Sequence, residues 1–248
     1  MSTSSALQGK TALIVGGAGG IGKAIGAAYV NEGARVVLAD RNGEAAERAA
    51  EEIGAVTGVT IDVANEDSVK VAVADALTAL GSIDILVNSA GIATQSSVAD
   101  MDLAMWSETI AVDLTGVFLV THHVLPDMLA RGSGRIINIA SQLGIKGGHS
   151  LAHYCAAKAG VIGFTKSLAL EVAEAGVLVN AISPGPIDTP MVEAIDEEWK
   201  KAKRKELPLG RFGKPEEVAP TAVLLASDPG GNLYVGANLG PNSGDVMP

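Results

Sequence analysis

Short apolar, β-branched runs alternate along the chain with longer Ala-rich stretches of helical periodicity, and this alternation constrains the fold more than any other feature. It predicts strands over residues 11–16, 35–40, 56–61, 83–88, 135–140, 177–182 and 233–238, with helices over 20–31, 44–53, 65–80, 101–130, 152–173 and 215–226. Most of the strands show no polar alternation, so both of their faces are covered, which is the condition of parallel strands. Repeated β-α-β units with right-handed crossovers give an α/β fold: a single doubly wound parallel sheet of about seven strands with helices on both faces. At 248 residues, one domain spanning residues 1–248 is expected. Residues 184–209 break the rhythm with four prolines and a mixed-charge helix over 196–206. An insertion after the carboxyl end of a strand is a candidate lid or substrate loop.

Bulk properties narrow the partners. A net charge of −10 disfavours nucleic acid and anionic membrane surfaces, which would repel the chain. No uninterrupted apolar run approaches the ~18 to 20 residues of a bilayer span, and residues 1–10 lack the basic-then-apolar pattern of a secretory signal. The single cysteine, Cys155, offers neither an intrachain disulfide nor a zinc cluster. His122 and His123 lack ligand partners at metal spacing. A cytoplasmic protein without a metal site is expected, acting on a small molecule.

The first strand runs into Val15-Gly16-Gly17-Ala18-Gly19-Gly20-Ile21-Gly22, where Gly17, Gly19 and Gly22 have GxGxxG spacing. Placed between an apolar strand and an Ala-rich helix, such a turn lets backbone approach a pyrophosphate, and the helix supplies free N–H groups. Gly16, Gly19, Gly20, Ile21 and Gly22 are the candidate contacts. Gly17 to Lys23 also fits the GxxxxGK of a nucleoside-triphosphate loop, but Ala24 stands where that loop needs a hydroxyl for magnesium. The second strand ends at Asp40, placed to accept hydrogen bonds from an adenosine ribose and to repel a 2′-phosphate. Arg41 beside it would favour that phosphate, but as the next residue it should point away. NAD is therefore the expected cofactor.

Tyr154 and Lys158 are four apart on a predicted helix and share a face. A free tyrosine, with a pKa near ~10, is a poor base at neutral pH, and a nearby ammonium lowers it by about 1 to 3 units. Ser141, closing the fifth strand, can donate to a substrate oxygen.

Ser141, Tyr154 thirteen residues on, and Lys158, all downstream of this glycine turn, resemble the short-chain dehydrogenase/reductase family. Other segments agree: Asn88-Ser89-Ala90-Gly91 is similar to its NNAG element, and Asn180-Ala181-Ile182-Ser183-Pro184-Gly185 to its NxxxPG turn. The resemblance implies a Rossmann-type enzyme exchanging a hydride between NAD(H) and a secondary alcohol or ketone. It makes Ser141 the residue that orients the carbonyl and Tyr154 the acid/base, with Lys158 binding the ribose and acidifying Tyr154. Asp62 and Val63 fall at the adenine; Asn88, Ala90, Gly91, Pro184, Gly185, Ile187 and Thr189 fall along the rest of the cofactor. Leu143 and His149 lie in the segment that borders the substrate. A homotetramer through helices 101–130 and 152–173 is implied as well.

Two residues depart from the pattern. Val15 replaces a Thr, and Asp113 stands where the family has an Asn that holds a relay water through its backbone carbonyl, a group any residue retains. Asp113 is then either tolerated, or its carboxylate alters the relay or its pH dependence. Two alternatives stay open: an NADPH-dependent 3-oxoacyl reductase, which Asp40 opposes, and a catalytically silent dinucleotide-binding regulatory module. The run Lys200-Lys201-Ala202-Lys203-Arg204-Lys205 is either a solvated helix face or a steering patch for an anionic substrate.

Overall fold

The strands are short and most are apolar, and the computed structural model, which describes residues 5–193 and 196–247, lays seven of them into one parallel sheet. They are β1 (Thr11–Val15), β2 (Arg35–Asp40), β3 (Thr57–Thr60), β4 (Ile85–Asn88), β5 (Gly134–Ile139), β6 (Val177–Ile182) and β7 (Asn238–Leu239). Their order is β3-β2-β1-β4-β5-β6-β7. The helices are α1 (Gly20–Asn31), α2 (Gly43–Ile53), α3 (Glu66–Leu80), α4 (Leu103–Ile110), α5 (Gly116–Arg131), α6 (Leu143–Lys146), α7 (Ala152–Val172), α8 (Pro190–Glu193), α9 (Glu197–Glu206) and α10 (Pro215–Ala226).

The period of two along β1 shows how the sheet is covered. Leu13 and Val15 enter a core shared with α3, α5 and α7, while Ala12 and Ile14 enter the opposite core with α1, α2 and α10. Tyr29 pins the second layer by donating its hydroxyl to the Ala222 carbonyl at 3.0 Å, and burial keeps that phenol protonated. The chain leaves β1 in one direction to β2 and β3 and in the other to β4, so the sheet has its switch point between β1 and β4. Val15 is level with Asn88, and Asn88 with Asn138, which brings the carboxyl ends of β1, β4 and β5 to one rim.

Two expectations are corrected, and one element was not expected. Residues 233–237 turn rather than extend; Leu233 is 95% exposed, and β7 begins only at Asn238. The Asn180 side chain makes bonds there that a strand would make, donating to the Tyr234 carbonyl and accepting from the Ala237 amide at 2.9 Å each. Helix 101–130 starts at Leu103, where Asp102 caps the Met105 amide at 2.7 Å. It is broken by a π-helical turn, Ala111–Thr115, between α4 and α5. Residues 143–146, for which the sequence pattern predicts no element, form the short helix α6.

Leu103–Arg131 is long and apolar enough to cross a membrane by length and composition alone. Its inner face packs Val117, Val120, Val124 and Met128 into the core, so within this fold it is a core helix. Part of the 184–209 region, residues 194 and 195, lies outside the described residues.

Candidate active site

The glycine turn is held at the switch point by close backbone packing. Gly16 has φ +79, and a Cβ there would lie 2.5 Å from the Ala90 amide nitrogen, so the loops after β1 and β4 touch only because this residue is glycine. At Gly22 a Cβ would fall on the Gly16 carbonyl, which locks α1 onto the turn. At Gly19 a Cβ would meet nothing within 4 Å. Asn42, Asn65 and Asp196 cap α2, α3 and α9 with their side chains, as Asp102 caps α4, whereas α1 begins on Gly19 with no side-chain cap. The open backbone and the uncapped amides fit a pyrophosphate. Lys23, which a triphosphate loop would turn onto its ligand, pairs with Glu52 of α2.

Asp40 reaches back across this turn. Its Oδ2 accepts from the Ala18 amide and its Oδ1 from the Asn42 amide, at 3.2 Å each, while Arg41 is exposed. Asp62 Oδ1 accepts from the Ala64 amide at 3.0 Å, and Val63 is buried against Gly116. Past β6, Ile187 bridges to Gly213, and Thr189 lies over Gly20, 3.5 Å from where its Cβ would be. Gly185 is packed against the Asn242 backbone. The turn after β1, the end of β2 and the loop after β6 thus hold the candidate cofactor residues along one rim. Asn88 differs in its role: its Nδ2 donates to Thr121 Oγ1 at 3.1 Å and Asn138 Oδ1 at 2.9 Å, and Asn138 donates to Thr165 Oγ1 at 2.9 Å. This buried polar chain ties β4, β5, α5 and α7 together beneath the site, and sequence reading missed it because its members are scattered singly along four elements.

Ser141 lies two residues past the end of β5. Its Oγ accepts from the Leu143 amide at 3.1 Å, and the Gln142 amide donates to the Pro184 carbonyl at 3.1 Å, joining this turn to the loop after β6. On α7, Tyr154 is half-buried and Lys158 is 4% exposed, with Nζ 5.6 Å from the Tyr154 ring centre. Lys158 Nζ donates to the Ile139 carbonyl at 3.2 Å and stands 3.2 Å from Asp113 Oδ2. Asp113, fully buried in the π-helical turn, accepts from the Ile92 amide through Oδ1 at 2.8 Å. Gly91 fits over this pair, since a Cβ there would lie 3.0 Å from Asp113 Oδ2 and 3.2 Å from Lys158 Nζ. Burial works to lower the Lys158 pKa, but the charges of Asp113 and Tyr154 outweigh it and leave it raised. Lys158 therefore stays an ammonium.

The surrounding residues divide. His149 is exposed and bonded to Ser150 Oγ at 3.0 Å, and Leu143 is half-buried. His153 is buried, its Nε2 2.8 Å from Thr94 Oγ1. The basic run on α9 is largely compensated: Lys200 pairs with Glu197 at 2.9 Å, Lys203 with Glu206 at 3.1 Å and Asp245 at 2.8 Å, and Arg204 stacks 4.8 Å from the Phe212 ring. Asp245 also holds Lys146 of α6 at 2.7 Å, a link between positions 99 residues apart that no spacing rule finds.

This architecture has a close counterpart. A structure of a short-chain type dehydrogenase/reductase from Mycobacterium marinum superposes with a TM-score of 0.93 at 34% identity, over 99% of this chain and 98% of that one. A family model described as enoyl-(acyl carrier protein) reductase matches residues 16–241, which include the glycine turn, Ser141, Tyr154 and Lys158. The chain belongs to the short-chain dehydrogenase/reductase family. As a short-chain dehydrogenase/reductase it is an oxidoreductase that uses a nicotinamide dinucleotide. Its relatives differ in what they act on. It is 42% identical to the 3-oxoacyl-(acyl-carrier-protein) reductase FabG of Aquifex aeolicus, over 90% of this chain and 92% of that one. It is 44% identical to the D-threitol dehydrogenase of Mycolicibacterium smegmatis, over 90% of this chain and 87% of that one.

Proposed function

We propose that this short-chain dehydrogenase/reductase exchanges a hydride between NAD(H) and a secondary alcohol or the matching ketone. A bound dinucleotide supplies the hydride acceptor or donor, and the remaining work falls to the chain. In the oxidising direction Tyr154 Oη removes the proton from the substrate hydroxyl as the carbinol hydrogen leaves with its electron pair. Ser141 Oγ donates to the substrate oxygen, and Lys158 favours the phenolate by its charge while reaching the ribose. The single observation that carries this reading is the buried, charged Lys158 set one helical turn from a half-buried Tyr154.

NAD over NADP rests on Asp40. Its carboxylate is fixed by the Ala18 and Asn42 amides at the end of β2, where it would repel a 2′-phosphate, and Arg41 is exposed beside it. A homotetramer accords with the exposed Leu103, Trp106, Phe118 and Leu129 on α4 and α5 and with Leu170 on α7, which is 86% exposed.

A second reading, an NADPH-dependent 3-oxoacyl reductase, is favoured by the relation to the reductase of Aquifex aeolicus. One panel separates the two: secondary alcohols, polyols, hydroxy acids, ketones and a 3-oxoacyl thioester, each with both cofactors, followed by nicotinamide absorbance. Turnover of an alcohol or ketone with a higher kcat/KM for NAD(H) is expected. Dominant turnover of the thioester with NADPH would replace the first reading by the second, and no turnover with any pair would leave the silent binding module.

A further inference from the structure

We propose that Asp113 is a positioning residue that clamps Lys158 and sets the pH at which Tyr154 gives up its proton. This deepens the reading above, since it rests on Tyr154 being the acid/base.

Two donors converge on the Asp113 side chain from different elements. The Ile92 amide, in the loop after β4, meets Oδ1 at 2.8 Å, and the Lys158 ammonium, on α7, stands 3.2 Å from Oδ2. A carboxylate has an acceptor for each. An amide has one oxygen and one NH2, so either way round it would set its NH2 against a donor. The π-helical turn Ala111–Thr115 carries Asp113 into a fully buried position, and Gly91 leaves the room above it. Lys158 is then held from two sides, by Asp113 and by the Ile139 carbonyl of β5.

The charge has a consequence beyond placement. The ammonium that favours a Tyr154 phenolate is itself faced by a buried carboxylate, which cancels part of its field at the phenol. Among the described residues, Asp113 and Tyr154 are the charged partners acting on Lys158. Of the titratable groups flanking Tyr154 on α7, His153 is engaged by Thr94, and the Cys155 thiol is pushed up by burial and stays neutral. Removing the Asp113 charge makes proton loss easier for Tyr154 and Lys158 alike, so both titrations move to lower pH.

The test is a near-ultraviolet tyrosinate titration of the full chain without added cofactor, with Tyr154→Phe proteins as the background that removes the signals of Tyr29 and Tyr234. In Asp113→Asn, and independently in Asp113→Ser, the Tyr154 midpoint is expected to fall by about one pH unit. Circular dichroism establishes that each variant is folded, and the small Ser keeps the experiment decisive if Asn disturbs the Ile92 bond. A midpoint that stays put or rises in a folded variant overturns the proposal. The titration needs no turnover, so a wrong substrate or cofactor preference would show in the panel and leave this result standing.

Discussion

At Gly16, a positive φ and an Ala90 amide only 2.5 Å from any Cβ make glycine the one residue that fits. Gly16→Ala is expected to destabilise the fold by about 1 to 3 kcal/mol, measured by urea denaturation, and to weaken dinucleotide binding; unchanged stability and binding would mean that the two loops do not need this contact. At the same scale, helical periodicity puts Tyr154 and Lys158 on one face, and the family resemblance is what singled the pair out. The partners of Asp113 were not readable. The amide that fixes it belongs to Ile92, and the π-helical turn that buries it leaves no mark in the hydrophobic period. Asn88 was readable as a rim residue, but its side chain turns into the buried chain with Thr121 and Asn138.

Among the elements, six strands were legible to within about two residues because apolar β-branched runs are unambiguous when buried on both sides. The seventh was not: its five apparent strand residues, 233–237, are turned by the Asn180 side chain, an interaction 54 to 57 positions away. The loop after β6 was legible as a departure in composition, while its fastening was hidden. Asp245, near residue 248, bridges Lys146 on α6 and Lys203 on α9 and so joins these two elements, α9 being in the proposed substrate loop. Burial works to raise the Asp245 pKa, but both lysines outweigh it and hold it below the usual carboxylate value. With a depressed pKa the latch is fully formed at neutral pH and is lost only as the pH falls through that value. Asp245→Asn is expected to raise the substrate KM roughly twofold to fivefold with the cofactor KM unchanged, the scale of an ion pair worth up to about 1 kcal/mol. Equal changes in both constants would place the latch outside substrate binding.

Across the whole molecule, the order β3-β2-β1-β4-β5-β6-β7 puts the switch point beneath the glycine turn and brings the ends of β1, β4 and β5 to one rim. The doubly wound sheet therefore sets residues far apart in sequence along one rim, with Gly16–Gly22 after β1 and Asp40 at the end of β2 on one side, and Ser141 past β5 and Lys158, bonded to the Ile139 carbonyl, on the other. What the proposed function requires there is a phenol that loses its proton beside a bound dinucleotide. Tyr154→Phe removes that proton while leaving the ring, so with the best substrate of the panel turnover should fall by at least about 100-fold, and NAD should bind as tightly as before. Turnover in Tyr154→Phe within about tenfold of the unmodified enzyme, an order of magnitude less than acid–base catalysis contributes, would contradict the assignment of Tyr154 as the acid/base.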